Sequence, residues 1–229
     1  MKSTQSHRDS EFAMQEGFAR LLLRLRGLGI NDPGLLKSVE QIPRQDFVPP
    51  QYRDFSYIEQ SLPIECGQVM TGVDHIIRWV DAMKVTKNQS VLEIGTGTGY
   101  QTALLALLSK RVVSLERFRT LSNQAALRLE RLQIQNAILE VGDGCSGLSK
   151  DGRAVPMLFE RIFVNGALPE QPKAFLDSLG SGGMLICAIG EPFCEQEVTI
   201  FEKVGSRFER YPLYKGRFHP LIAGVAKAI

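Results

Sequence analysis

The stretch Val91-Leu92-Glu93-Ile94-Gly95-Thr96-Gly97-Thr98-Gly99-Tyr100 is a short apolar run that stops in three alternating glycines and continues into Gln101-Thr102-Ala103-Leu104-Leu105-Ala106-Leu107-Leu108. The pattern predicts a strand, a tight loop and a helix. Glycines at 95, 97 and 99 admit positive φ and let a ligand approach the main chain. The helix behind them offers unpaired N–H groups and the positive end of its dipole. Such a loop outlines a nucleotide pocket. The dinucleotide fingerprint G-x-G-x-x-G would need its third glycine at 100, where the chain has Tyr100.

Glu93 closes the strand ahead of the glycines. A carboxylate there repels a pyrophosphate but suits the ammonium and sulfonium charges of S-adenosylmethionine. The spacing E-x-G-x-G-x-G is similar to that of class I methyltransferases. Arg111 to Glu116 reads as a second strand, ending in an acid where a ribose diol needs an acceptor. Ala137 to Val141 reads as a third, followed by Gly142-Asp143-Gly144, with Asp143 placed to accept from an adenine amino group. A single strand-end acid often caps a helix or faces water. Acids on three successive βα units suit a ligand-facing sheet edge. The expected cofactor residues are therefore Glu93, Gly95, Gly97, Gly99, Glu116, Asp143 and Gly144.

With 229 residues, 44% hydrophobic and 23% charged, the chain is long enough to bury a proper core and shows no sign of disorder. A formal charge of +2 argues against nucleic acid as a partner. No apolar run is long enough to span a membrane, and the polar stretch Met1 to Ser10 lacks the apolar core of a signal peptide, so a cytoplasmic protein is expected. Cys66, Cys145, Cys187 and Cys194 form no C-x-x-C pair and do not interleave with the histidines, which predicts free thiols and no metal.

In chain order, residues 1–9 read as a frayed polar start. An amphipathic helix follows from Ser10 to about Leu28, and a second helix opens with Asp32 as cap and Pro33 in its first turn. Pro43, Pro49, Pro50 and Pro63 make 43–66 irregular, with aromatics that suggest packing. A helical pattern through Ile76, Ile77, Val80 and Met83 leads to the glycine loop. Beyond Asp143, residues 144–153 read as a loop and Phe159 to Val164 as a fourth strand. A short helix from Pro169 to Leu179, a turn at Gly180 to Gly183 and a fifth strand from Met184 to Ile189 follow. Gln196 to Lys203 and Arg207 to Leu213 read as a hairpin. The expected architecture is α/β: a doubly wound, mostly parallel Rossmann-like sheet ending in an antiparallel C-terminal hairpin, with an N-terminal helical cap. Residues 1–89 form the cap and a substrate wall within the same unit, and residues 90–229 the S-adenosylmethionine-binding methyltransferase core.

The chain resembles the protein-L-isoaspartate O-methyltransferases from about Leu21 to Ala223. Ile42-Pro43-Arg44-Gln45-Asp46-Phe47-Val48-Pro49, Leu62-Pro63-Ile64 with Gly67-Gln68, Val91 to Gln101 and Gly142-Asp143-Gly144 carry the likeness in the family's order. Pro169-Glu170-Gln171-Pro172 and Arg217-Phe218-His219-Pro220-Leu221 add weaker matches. The resemblance implies methyl transfer from S-adenosylmethionine to the α-carboxyl of L-isoaspartyl residues in damaged proteins, leaving S-adenosyl-L-homocysteine. The ester then closes to a succinimide without the enzyme. The resemblance also implies a monomer, Thr71 in the place of the family's serine that contacts the substrate carboxylate, and Gly67, Gln68 and Arg217 at the substrate. An acceptor carboxylate is ionised at neutral pH, so the reaction needs no general base.

Departures cluster at the acceptor. The family's G-Q-T-I-S-x-P reads Gly67-Gln68-Val69-Met70-Thr71-Gly72-Val73, Glu65 replaces a usual glycine, and Asn165-Gly166-Ala167 stands for a Thr-Ala-Ala run. Two other readings therefore stay open: a methyltransferase with another carboxylate or small-molecule acceptor, and a cofactor-binding module without catalysis. Thr71 also reads as a helix cap, and Arg217 as a solvated surface group. His75 and His219 read as surface or satisfied core histidines, and Trp79 as core.

Overall fold

Strands whose residues are apolar on both faces need cover on both faces, and the run Val91 to Ile94 is buried throughout. The computed structural model describes the backbone of residues 2–146, 149–150, 153–154 and 158–226, and the side chains of 14–145 and 158–226. Among these residues the main sheet comprises β1 (Ser90–Ile94), β2 (Arg111–Glu116), β3 (Ala137–Val141), β4 (Phe159–Leu168), β5 (Leu179–Ile189), β6 (Gln196–Val204) and β7 (Arg207–Gly216). Their order across the sheet is β7-β6-β5-β4-β1-β2-β3. The first five pair in parallel, and β6 and β7 are antiparallel. The helices are α1 (Lys2–Gly27), α2 (Pro33–Gln41), α3 (Val73–Met83), α4 (Tyr100–Leu108), α5 (Arg119–Arg131) and the single turn α6 (Lys173–Leu176). None of the described helices is long and apolar enough to cross a membrane.

The chain lays β1, β2 and β3 in one direction, then returns to place β4 on the other side of β1. That reversal opens a crevice at the carboxyl ends of β1 and β4, where such sheets bind their ligands. A bulge sharpens it. Pairing with β5 passes from Phe163–Ile186 to Ala167–Ala188, four steps on β4 against two on β5. The extra residues turn Asn165 and Gly166 toward the crevice. The tail beyond β7 crosses the same end: the Ala167 amide donates to the His219 carbonyl at 2.7 Å, and the Leu221 amide to the Ala167 carbonyl at 2.8 Å. A Cβ on Gly166 would stand 3.0 Å from the Leu221 Cβ, so a small residue is what admits the tail.

The N-terminal segments build the opposite wall. Asp32 caps α2 by accepting from the Leu35 amide at 2.7 Å, with Pro33 in the first turn. Arg24 of α1 reaches α3 through two hydrogen bonds to the Asp74 carboxylate, 2.9 Å each, and donates to the Tyr57 carbonyl. Two 3-10 turns, Arg44–Phe47 and Pro50–Phe55, lead to a two-residue antiparallel pairing of Leu62–Pro63 with Val69–Met70 around the turn Glu65–Gly67. One buried apolar cluster includes Leu21, Phe47, Met70 and Ile77 from this wall with Tyr100, Phe163 and Ile186 from the core.

Some boundaries differ from the sequence reading. The first helix begins at Lys2 rather than near Ser10, because no glycine or proline interrupts the polar start. The fourth strand continues to Leu168 through its bulge. The helix expected over Pro169–Leu179 is a single turn, since Leu179 pairs with Phe159 and joins the sheet. The turn at Gly180–Gly183 is a glycine-rich bulge inside β5, between the pairs Phe159–Leu179 and Arg161–Met184. Within the loop expected at 144–153, Gly144–Ser146 form a 3-10 turn and Ser149–Lys150 pair with Arg153–Ala154; positions 147, 148, 151 and 152 lie outside the described residues.

Candidate active site

The glycine loop follows β1, with φ of +91°, +54° and +89° at Gly95, Gly97 and Gly99. Only Gly95 and Gly99 also lack room for a side chain: a Cβ would lie 3.3 Å from the Asn165 backbone oxygen at the first and 3.0 Å from the Ala125 Cβ at the second. Gly99 caps α4 without a side-chain hydrogen bond, so the amides of the first turn stay available to a ligand.

Beneath the loop sits Glu93, fully buried. Its Oε2 accepts from Thr102 Oγ1 at 2.5 Å and Ser114 Oγ at 2.7 Å, and its Oε1 from Asn165 Nδ2 at 3.1 Å. Asn165 donates to the Gly95 carbonyl as well and accepts from Gln101. Burial pushes the Glu93 carboxyl up to about 7, against the lowering effect of its three donors. Glu93 thus anchors the loop from below and does not line the cavity.

Glu116 does line it. One carboxylate oxygen accepts from the Gly97 amide at 2.8 Å and the other from the Phe118 amide at 3.0 Å, and burial raises its pKa. The Arg117 amide donates to it as well, which leaves the carboxylate acceptor capacity for one ligand hydroxyl. Leu115, Leu121, Gly144 and Cys145 continue this end of the cavity. Asp143 sits just behind, its side chain accepting from the Cys145 amide at 2.9 Å.

The lining also includes Gln68, Val69, Met70 and Thr71, Trp79 and the tail residues Arg217 to Ile222. Thr71 is not the cap of α3; that position is Gly72, which makes no side-chain cap bond. Gly67 shapes the turn with φ +64° and stays outside the lining, as does Gly99. Of the residues singled out in the sequence, the cavity therefore gathers Gly95, Gly97, Glu116, Gly144, Gln68, Thr71 and Arg217, with Glu93, Gly99, Asp143 and Gly67 just behind it.

Glu65, which stands in place of a usual glycine, is outside the lining. The left-handed Cys66 that follows it, φ +60°, bends the turn, and the Glu65 charge acts on Arg128 of α5, favouring its cationic form. Arg128 also donates to the Thr98 carbonyl of the glycine loop.

Sequence reasoning missed the aromatic joint at the tail. Trp79 Nε1 donates to the Tyr214 hydroxyl at 2.9 Å, and His75 Nδ1 lies 2.9 Å from the same oxygen. Phe218 packs on both rings, with centroids 5.2 and 5.4 Å away. His75 is a half-buried partner in this joint, its pKa lowered by burial and by Arg78. Buried Gln196 accepts from the Phe218 amide at 2.8 Å and completes the tail's anchorage. No local spacing signals a joint between positions 75 and 214.

Known proteins resemble the chain over most of its length. The family described as protein-L-isoaspartate(D-aspartate) O-methyltransferase matches residues 17–226. The protein-L-isoaspartate O-methyltransferase of Azorhizobium caulinodans is 40% identical over 218 residues, 95% of this chain and 98% of its own. That of Parvibaculum lavamentivorans is 37% identical over 224 residues, 96% and 99% of the two chains. Among solved structures, a protein-L-isoaspartate O-methyltransferase superposes with a TM-score of 0.78 at 25% identity, covering 91% of this chain and 67% of that one. A Plasmodium falciparum chain assigned to the same activity and crystallised with S-adenosyl-L-homocysteine shares the fold, with a TM-score of 0.76 at 21% identity over 89% and 97% of the two chains. The chain belongs to the protein-L-isoaspartate(D-aspartate) O-methyltransferase family.

Proposed function

We propose that the protein transfers a methyl group from S-adenosylmethionine to the α-carboxylate of L-isoaspartyl residues in damaged proteins. The observation that carries this reading is one cavity at the sheet's switch point, lined by Gly95, Gly97 and Glu116 and also by Thr71, Gln68 and Arg217. The residues fit the cofactor: Gly95 and Gly99 leave no room for a Cβ, the first turn of α4 keeps free amides, and apolar Leu115 and Leu121 stand beside Glu116. Glu116 would accept from the ribose diol, and the Asp143–Gly144 turn would meet the base. When bound, S-adenosylmethionine supplies an electrophilic methyl group on a sulfonium centre.

The chain's own contribution is positioning. Thr71 donates a hydrogen bond to the acceptor carboxylate and Arg217 offers it a cation, while the tail and Trp79 shield the cavity from water. Alignment of this kind can contribute about 7–11 kcal/mol to the rate. Isoaspartyl proteins or peptides are the partners. The modest net charge supports no nucleic-acid partner, four free thiols suit a reducing, cytoplasmic setting, and the monomer follows the family resemblance. Val69, where the family pattern has a threonine, makes the acceptor wall more apolar, which favours a second reading with another carboxylate as acceptor.

Methyl transfer to an isoaspartyl peptide set against its aspartyl twin tests the proposal. Two variants test its parts. Glu116→Ala is expected to weaken S-adenosylhomocysteine binding by about 1–3 kcal/mol, since a buried ribose hydroxyl loses its acceptor; calorimetry showing unchanged affinity would reject the assignment. Thr71→Val should lower turnover on the peptide about tenfold or more with cofactor affinity unchanged, and Thr71→Ser should restore it. Equal turnover in Thr71→Val removes the hydroxyl from the reaction.

A further inference from the structure

The motif Ile42-Pro43-Arg44-Gln45-Asp46-Phe47 lines no part of the cavity, yet Arg44 at its centre is 0% exposed and among the largest fully buried side chains. Its Nη2 donates to the Thr71 carbonyl at 2.6 Å. Among the described residues its Nε and Nη1 have no hydrogen-bond partner, and neither has the hydroxyl of Tyr100, over whose ring the guanidinium lies at 5.0 Å. Among the described residues no carboxylate pairs with Arg44. Asp74, whose field favours the cation, is already held by two bonds from Arg24. Burial lowers the guanidinium only to about 10, so it is charged at neutral pH.

A buried cation without a counter-ion is unfavourable, and an anion arriving nearby relieves that cost. Thr71 and Tyr100 both line the cavity, which puts Arg44 directly behind its acceptor wall. We propose that Arg44 is a positioning residue for the acceptor: its uncompensated charge draws an anionic group to Thr71, and its bond to the Thr71 carbonyl fixes the peptide that aims the Thr71 hydroxyl. The inference rests on the isoaspartyl reading of this site. It also gives Thr71, a substitution for the family's serine, a fixed backbone to act from.

The test compares Arg44→Lys, which keeps charge and donor, with Arg44→Gln, which keeps a donor alone, and Arg44→Met, which keeps neither. An L-isoaspartyl peptide is titrated calorimetrically into protein saturated with S-adenosylhomocysteine, and S-adenosylhomocysteine affinity is measured separately. The expected result is cofactor affinity within about twofold of wild type throughout, with peptide affinity down about tenfold or more in Arg44→Gln and Arg44→Met but within about fivefold in Arg44→Lys. If Arg44→Met does not fold, the Lys and Gln pair decides alone. Peptide affinity kept within about twofold in Arg44→Gln overturns the inference, as does a parallel loss of both affinities that Arg44→Lys fails to rescue. A wild-type protein that binds S-adenosylhomocysteine but no isoaspartyl peptide overturns the proposed function and this inference with it.

Discussion

Glu93→Ala is expected to lower the thermal midpoint by about 10 °C and to abolish measurable cofactor binding. The side chain is fully buried, and its removal takes the acceptor from Thr102 Oγ1 and one of two partners each from Ser114 Oγ and Asn165 Nδ2. Buried donors left unpaired cost about 1–3 kcal/mol, and the cavity adds to that. A total of about 3–4 kcal/mol corresponds to that midpoint shift in a chain of this size. Asn165 also holds the Gly95 carbonyl, so the loop loses its underpinning along with the core.

Glu93→Gln separates shape from charge. The Thr96–Ser114 hydroxyl pair can reorient to meet an amide, so the variant should fold. Because burial holds the Glu93 carboxyl at about 7 in the folded state, the folded protein binds its proton more tightly than the unfolded chain does. Stability from this group is therefore fully present below about pH 4.5 and is lost as pH rises through about 7, a fall of up to about 3 kcal/mol. Denaturant titrations should show that fall in the wild type and not in Glu93→Gln. Parallel pH profiles for the two proteins would refute the assignment.

Gly72→Ala carries the second large effect. A Cβ there would stand 1.8 Å from the Glu59 backbone oxygen and 2.9 Å from its carbonyl carbon, and main chain cannot swing aside as a side chain can. Gly72 has an ordinary φ of −52°, so the demand is purely for space. Overpacking at a rigid contact costs about 3 kcal/mol, or about 6–12 °C in midpoint. Relief means moving Thr71 and its neighbours away from the 59–60 turn, so peptide binding should fall with stability. Gly27→Ala, which meets nothing within 4 Å, is the control and should change stability by less than about 0.5 kcal/mol. Matching midpoints for the two variants would show that the contact is soft.

What the sequence displayed was local. Strand, glycines and helix around Gly95, and the acids at 93 and 116, follow from spacing within one or two elements, because backbone freedom and periodicity are written residue by residue. The bulge that aims Asn165 depends on register between β4 and β5, which no single stretch contains. The direction of Glu65 depends on a left-handed Cys66, a conformation unusual for a residue with a Cβ. The burial of Arg44 depends on Thr71 and Tyr100, which come from two other segments of the chain. The hydroxyl of Tyr214, shared by His75 and Trp79, joins residues more than 130 positions apart. Alternating βα units announced the fold, whereas the acceptor wall came from loops and the tail, whose long-range contacts leave no periodic trace.

The most direct measurement is transfer of labelled methyl from S-adenosylmethionine to an L-isoaspartyl peptide, beside its normal aspartyl twin and with cofactor affinity measured on the same protein. Label is expected on the isoaspartyl peptide alone, as a base-labile ester. Tight cofactor binding with no label on that peptide, or equal label on both, would contradict it.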